Sequence, residues 1–300
     1  MRQLNLLQKT VFGILTATPL LLPAQTKELQ DRDIVIAIID TGADITHPLI
    51  RDNLWTNPNE KSNGLDNDGN GYAGDLHGWN FVSNNNDVSD NHGHGTHVAG
   101  IIRSRTLSSR VKFMILKYYD PGQTGKNNLM NTVRAIRYAT KMKVDIINYS
   151  GGGEERSELE EKAIREAQAQ GILFVAAAGN DGRNTDKIGY FPAGYKLKNI
   201  LSVAAMDESR HLISSSNYGK NSVDIAAPGK NIYSSLPGGQ YGLMTGTSQA
   251  TAWVTGLAAS MMLQDGTLRD PLELKKRLGR QGTQNPLLRI SALQGELSSL

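Results

Sequence analysis

Short, unbroken apolar runs recur along the chain, each bounded by glycine or polar residues. Ile34 to Ile39 reads Ile-Val-Ile-Ala-Ile-Ile, and Val111 to Leu116, Val144 to Asn148, Ile172 to Ala177 and Ile200 to Ala204 share that character. Runs of this length, β-branched and without alternation, mark strands covered on both faces. Between them the apolar positions switch to helical spacing, at Leu129, Val133 and Ile136, and again at Leu159, Ala163, Ile164 and Ala167. Ser157 and Glu160 have the spacing of a capping box at the start of the second helix, and Gly171 stands where that helix should stop. Alternating strands and helices predict an α/β fold: a three-layer sandwich with a mostly parallel central sheet covered by helices on both faces. Such sheets gather their functional groups beyond the carboxyl ends of the strands.

Two further helices are predicted near the C-terminus. Ser248 to Met262 is Ala-rich and reads as buried, and Asp270-Pro271-Leu272-Glu273 opens another with proline in its first turn. Residues 53–90 form an Asn-, Asp- and Gly-rich stretch too long for a simple connection, which in a compact domain points to function or to ordering by a ligand. No internal repeat or linker interrupts the pattern, so residues 25–300 are expected to form one domain.

The first 24 residues follow another pattern. Arg2 and Lys9 precede an apolar core from Val11 to Leu22, and Pro23-Ala24 leads into polar sequence. This predicts a signal peptide and a secreted or periplasmic protein. An uncleaved anchor or a buried N-terminal helix is the alternative. No later apolar run is long enough to cross a bilayer, so no membrane association is expected once the signal is removed.

Composition narrows the function classes. The chain is 39% hydrophobic and 20% charged, with a net charge of +3 and no cysteine. No basic tract or aromatic–basic platform appears, so nucleic acid is not an expected partner. Thiol chemistry, iron–sulfur sites and disulfides are excluded.

Candidate chemistry clusters in four places. Asn91-His92-Gly93-His94-Gly95-Thr96-His97 holds three of the six histidines, the side chain whose ordinary pKa lies nearest neutrality. Asp40 follows the first apolar run directly, in Ile39-Asp40-Thr41-Gly42. Ser248 lies in Gly246-Thr247-Ser248 where a helix begins, beside unpaired N–H groups and the positive end of the helix dipole. Asn180, in Ala177-Ala178-Gly179-Asn180, follows another apolar run and offers an amide donor. Taken alone, each also fits a bland role as turn or cap. A zinc site formed by His92, His94 and His97 is a further alternative, although it leaves Asp40, Asn180 and Ser248 unexplained.

In chain order Asp40, His94 and Ser248 follow the sequence Asp, His, Ser. With the segments just quoted, and with His94-Gly95-Thr96-His97-Val98-Ala99-Gly100, Ser216-Asn217-Tyr218-Gly219 and Asp224-Ile225-Ala226-Ala227-Pro228-Gly229, the chain resembles the subtilisin-like serine proteases, the subtilases. The resemblance runs from about Asp33 to Met262. It implies an exported serine endopeptidase acting on extended polypeptides as a monomer, with a Ser248 acyl-enzyme and His94 as general base. Asp40 would orient His94, and Asn180 would join the Ser248 N–H in an oxyanion hole. His97 would be structural, and His92 would sit in the loop leading into the helix. Ser150, Gly151 and Gly152 would line one wall of the substrate cleft, pairing with the peptide as an added strand. Ala177, Ala178 and Gly179 would form the opposite wall of the first specificity pocket, with Asp181 near its floor allowing tolerance of basic side chains. Phe191-Pro192 matches a segment that often holds a cis proline.

The chain also departs from the family pattern. Too few residues separate Ala24 from Asp33 for the usual pro-domain, Ala252-Trp253 replaces a Pro-His pair, and Gly151 replaces a larger apolar residue. Those departures keep a catalytically silent binding or regulatory protein on the same fold as the rival reading.

Metal chemistry is expected in the acidic loop. Asp66-Asn67-Asp68-Gly69-Asn70-Gly71 places oxygen ligands at positions 1, 3 and 5 and glycine at 6, the opening of a calcium loop. The expected structural Ca2+ ligands are Asp66, Asp68, Asn70, the Tyr72 carbonyl and Asp75. Asp87 and Asp90 are candidates for a second oxygen-rich site.

Overall fold

A computed structural model of the chain describes residues 32–284; the signal-peptide expectation for residues 1–24 lies outside them. Seven strands form one sheet: β1 (Ile34–Asp40), β2 (Gly78–Asn80), β3 (Val111–Lys117), β4 (Ile146–Tyr149), β5 (Leu173–Ala177), β6 (Ile200–Met206) and β7 (Ile225–Pro228). Their order is β2-β3-β1-β4-β5-β6-β7, and every neighbouring pair is parallel. Ile232–Leu236 (β8) and Gln240–Met244 (β9) make a separate antiparallel hairpin.

Among the described residues five α-helices accompany the strands: α1 (His94–Thr106), α2 (Gly125–Lys141), α3 (Glu158–Ala169), α4 (Thr247–Gln264) and α5 (Pro271–Gln284). Alternate residues of β1 supply the two faces. Ile34, Ile36 and Ile38 join Val98, Ile102, Val254, Ala258, Leu274 and Leu278 from α1, α4 and α5. Ala37 and Ile39 join Val133, Ile136, Ile164 and Ala167 from α2 and α3. This strand is buried by helices on both sides, which is why its sequence is continuously apolar. The result is the predicted three-layer α/β sandwich with a mostly parallel central sheet.

Strand order reverses around β1. The chain runs from β1 outward to β3 and then returns to β4 on the other side, with Asp40 opposite Lys117 and Ile39 opposite Tyr149. A crevice opens beyond the carboxyl ends at such a reversal, and Asp40 is the last residue of its strand.

The capping box at α3 is only half made. Ser157 Oγ accepts from the Glu160 N–H at 3.3 Å, as the spacing predicts. The Glu160 side chain does not return to Ser157. Instead, the Ser157 N–H donates to the Tyr195 hydroxyl (3.0 Å), which itself donates to Glu160 Oε2 (2.7 Å). A residue far along the chain has taken the position between cap and carboxylate.

Candidate active site

Asp40 is buried, and its Oδ1 accepts from the Thr41 N–H (2.8 Å) and faces His94 Nδ1 at 2.7 Å. This meeting depends on how closely α1 starts against the end of β1. A Cβ on Gly95 would lie 2.0 Å from the Gly42 carbonyl and 3.1 Å from the Asp40 Cβ, so only glycine fits there. Asp90 supplies the clamp. Its Oδ1 accepts from the N–H groups of His92 (3.0 Å) and Gly93 (2.9 Å) and from the Thr41 hydroxyl (2.9 Å). Its Oδ2 accepts from the Thr96 N–H (2.9 Å) and hydroxyl (2.7 Å). Thr41 in turn accepts from the Gly95 N–H at 2.9 Å. One buried carboxylate thus satisfies the loop and first turn of α1 and ties both to the end of β1. These bonds engage both oxygens of Asp90, and among the described residues it joins no group of acids placed to hold a metal ion.

Burial works against a charged His94, but the charge and hydrogen bond of Asp40, with a smaller contribution from Asp90, outweigh it and raise the pKa above the ordinary 6.5. The His94 side chain keeps 24% exposure, so its second nitrogen has a way out to the cleft. The zinc alternative finds no support: His97 is fully buried against the hairpin, with Nε2 3.2 Å from the Gly242 carbonyl, and burial holds its pKa below the ordinary value. Among the described residues the histidines form no metal-binding group. His92 is exposed, its ring centre 6.3 Å from that of His94.

Ser248 is the second residue of α4, where backbone N–H groups lack helical partners. Its hydroxyl donates to the Ser150 carbonyl at 3.2 Å, and among the described residues it makes no hydrogen bond to His94. Register brings the groups together: β1 and β4 are neighbours, Ile39 pairs with Tyr149, and Asp40 and Ser150 follow those residues. Asn180 reaches the same place from the end of β5. Its Oδ1 accepts from the Thr247 N–H (2.8 Å) and hydroxyl (3.1 Å), and a backbone N–H can only donate, so this fixes which end of the amide faces the helix. The Nδ2 donor is left on the other side.

Ser150 to Gly152 lie beyond β4 outside any ladder, while Gly153 is closed by mutual hydrogen bonds with Phe191 (2.9 and 2.7 Å). The side chain absent at Gly151 is accounted for: a Cβ there would lie 2.0 Å from the Tyr118 hydroxyl oxygen. Between the expected pocket walls the structure holds a residue that the sequence reading missed. A Cβ on Gly152 would stand 2.5 Å from Tyr190 Cε1, and one on Gly179 would stand 2.8 Å from Tyr190 Cε2. One phenol ring therefore touches both glycines and fills the gap between them. Asp181 is exposed, its backbone N–H bonded to Asn217 Oδ1 at 3.0 Å, so a phenol ring rather than a carboxylate occupies the space between the walls. The Phe191–Pro192 peptide is cis, as the resemblance implied.

In the acidic loop the structure regroups the expected ligands. Asp68 and Asp75 come together with Glu60, one oxygen of each lying within 4.8 Å of the others. Asp66 lies outside this group, exposed, and accepts from the N–H groups of Gly71 (2.8 Å) and Asn70 (3.0 Å). Asn70 Oδ1 accepts from the Tyr72 N–H at 2.7 Å, so its Nδ2 is what faces Asp68 and Asp75. The Tyr72 ring packs on Trp79, Phe81 and Tyr138. Burial pushes the Asp75 carboxyl up, against hydrogen bonds from Tyr138, Asn70 and Asn57, and the nearby Asp68 charge adds to the rise. Glu60 gave a weak signal in the sequence, an acid six residues ahead of the Asp/Asn pattern.

Comparison with known proteins places the chain in a family. The subtilase family pattern matches residues 31–283, and the chain belongs to the subtilase family, whose characterised enzymes are serine-type endopeptidases. It is 34% identical over 251 residues to a thermophilic serine proteinase of a Bacillus species, covering 81% of this chain and 55% of that protein. It is 34% identical over 248 residues to the major intracellular serine protease of Bacillus subtilis, covering 78% of this chain and 69% of that one. A crystal structure of a cold adapted subtilisin-like serine proteinase superposes with a TM-score of 0.69 at 26% identity, covering 88% of each chain. No helix among the described residues is long and apolar enough to cross a membrane.

The clamp gives a test of this local architecture. Asp90→Ala removes an acceptor of five hydrogen bonds and is expected to cost about 2–4 kcal/mol of stability, read from urea unfolding. A change below about 0.5 kcal/mol, the level of an ordinary surface substitution, would count against Asp90 as the organiser of α1.

Proposed function

We propose that this chain is a serine endopeptidase in which Ser248 attacks the scissile carbonyl and His94 takes its proton. The observation that carries this is the buried Asp40 carboxylate 2.7 Å from His94 Nδ1 at the strand reversal, with Ser248 at a helix N-terminus beside the same crevice. Asp40 holds the imidazole with Nδ1 protonated, which leaves Nε2 as the base, and stabilises the imidazolium that forms. Rotation of Ser248 away from the Ser150 carbonyl engages His94, since such bonds often tighten only when substrate is present. As the tetrahedral oxyanion forms, the Ser248 N–H and Asn180 Nδ2 donate to it. His94 then returns the proton to the leaving amine, and water repeats the cycle on the acyl-enzyme. Extended peptides bind along Ser150 to Gly152 by strand addition. The rival reading, a silent scaffold, gains nothing from Gly151, whose missing side chain is explained by Tyr118.

Two finer points belong to the same reading. The basic and apolar pattern of residues 1–24 supports export. The clustered carboxylate oxygens of Glu60, Asp68 and Asp75 fit a hard cation such as Ca2+, which would hold the loop as a structural ion.

Two outcomes are expected. A fluorophosphonate probe labels the wild type and not Ser248→Ala. The kcat/KM on a neutral peptide rises with pH through an ionisation above 6.5, because a raised His94 pKa keeps the base protonated to higher pH. Labelling that survives Ser248→Ala would sink the assignment.

Tyr190 sets the residue whose carbonyl is attacked. Cleavage-site profiling with a peptide library is expected to find glycine, alanine or serine there, and Tyr190→Ala to admit leucine or phenylalanine with a gain of about tenfold or more. Unchanged acceptance of large side chains in the variant would show that the ring does not fill the first pocket.

For the metal, calorimetry in millimolar calcium should give a higher Tm than in EDTA, and the combined change Glu60→Gln with Asp68→Asn should erase the difference. Asp66→Ala should leave it intact. Equal Tm values for the wild type under both conditions would argue against a structural ion.

A further inference from the structure

With the first pocket filled by Tyr190, the open concavity of this face lies farther along the substrate-binding segment. A cavity of about 290 Å³ adjoins Gly152 and Gly153, walled by Tyr118, Tyr149 and Phe191 and lined by Glu154, Glu155 and Glu160. Its lining includes no lysine or arginine. Glu160 is 3% exposed, and the one hydrogen bond to its carboxylate among the described residues is from the Tyr195 hydroxyl to Oε2, which leaves Oε1 unpartnered. Glu154 shares its charge with Arg183, and Glu155 is exposed at the rim.

An aromatic wall and a buried carboxylate with a spare oxygen make a poor site for an apolar side chain and a good one for a cation. The ring faces attract positive charge, and the carboxylate completes a charge-assisted hydrogen bond away from water. Like-signed groups in a concave, low-dielectric setting add to one another. We infer that this cavity is a specificity subsite for a lysine or arginine side chain of the substrate, with Glu160 as its charge partner. The inference rests on the peptidase reading above. Ser248 meets the segment at Ser150, and strand residues advance by about 3.3 Å, so the side chain entering beside Gly152 and Gly153 stands roughly two to four residues before the scissile bond.

The surroundings of Glu160 make the subsite sensitive to pH. From α2 it is faced by the uncharged Asn128 and Thr132, from the end of β4 by Tyr149, Glu154 and Glu155, and from residues 191–195 by Phe191 and Tyr195. On its own helix Glu161 is engaged with Arg156 and Arg165. Burial pushes the Glu160 carboxyl up to about 7, opposed by the Tyr195 hydrogen bond. Below that pH the floor is neutral, and above it the floor is anionic.

The test uses the full-length enzyme and peptides with alanine at the scissile residue. Lysine, arginine or norleucine is placed in turn at the second, third and fourth positions before it. At one position the cationic peptides should exceed norleucine in kcat/KM by about tenfold at about pH 8. The ratio, from which the His94 titration cancels, should rise several-fold between about pH 6 and about pH 8, as the ionised fraction of a group with pKa about 7 climbs from about a tenth to about nine tenths. Glu160→Gln keeps an acceptor for Tyr195 and removes the charge, so the ratio should fall towards one and lose its pH dependence. Separate lysine and arginine series show which cation the cavity takes. Norleucine preferred throughout, or a ratio unchanged by Glu160→Gln, would overturn the subsite while leaving the peptidase reading intact. If that variant does not fold, a wild-type ratio flat in pH overturns it equally. Failure of every peptide together with absent Ser248 labelling would remove the peptidase reading, and the subsite with it.

Discussion

The closeness with which α1 begins against the end of β1 is the constraint on which the rest of this site depends. The Asp40–His94 hydrogen bond of 2.7 Å needs the helix backbone nearly in contact with the strand's exit, and Gly95 permits that approach. Bare proximity would leave orphaned N–H groups at the helix start, in a region too buried for water to satisfy them. Asp90 resolves this by accepting five hydrogen bonds, one of them from Thr41, the residue next to Asp40. The charge that organises the helix also adds to the field that raises the His94 pKa. Positioning and electrostatics are therefore one arrangement seen twice.

Much of the fold was legible because its strands are buried on both faces. Ile34 to Ile39 could be read as a central strand without knowing its neighbours, and the buried helix from Ser248 could be read from its alanines. Polar placement was less legible, because it is decided by partners distant in sequence. Glu160 has capping-box spacing, yet Tyr195 intercepts it from 35 residues away. Asp66 opens a calcium-loop pattern, yet its carboxylate turns to the N–H groups of Asn70 and Gly71 and lies outside the cluster that Glu60 forms with Asp68 and Asp75. Asp90 looked like a metal ligand because a carboxylate serving five donors has the same composition as one serving an ion. In each case the residue types were informative and the partners were not deducible.

The face proposed to bind substrate shows how neighbouring residues conceal one another's roles in a sequence. Gly151 alone reads as a lost contact with substrate. In the structure the Tyr118 hydroxyl stands where a side chain at 151 would go, and Tyr149 and Phe191 continue the same aromatic surface. Likewise Gly152 and Gly179 read as an open pocket until Tyr190 is placed between them. Bulk that glycines at 151, 152 and 179 leave out is supplied by Tyr118 and Tyr190 from the sides.

Glu160 gains its meaning from that redistribution. An acid in the first turn of a helix ordinarily faces solvent or its own cap, where its pKa stays low and its charge favours the helix dipole. Here the Tyr195 hydroxyl satisfies one carboxylate oxygen, and Glu160 lines an aromatic cavity with no hydrogen-bond partner for the other among the described residues. Burial disfavours its charge, and no cationic residue among the cavity's lining offsets that cost. Folding stability gives no reason to hold an acid in that position, since a glutamine would bond Tyr195 as well without the cost of burying a charge. A buried, half-satisfied carboxylate beside the proposed peptide path fits a group whose partner arrives with the substrate, as specificity residues are expected to be.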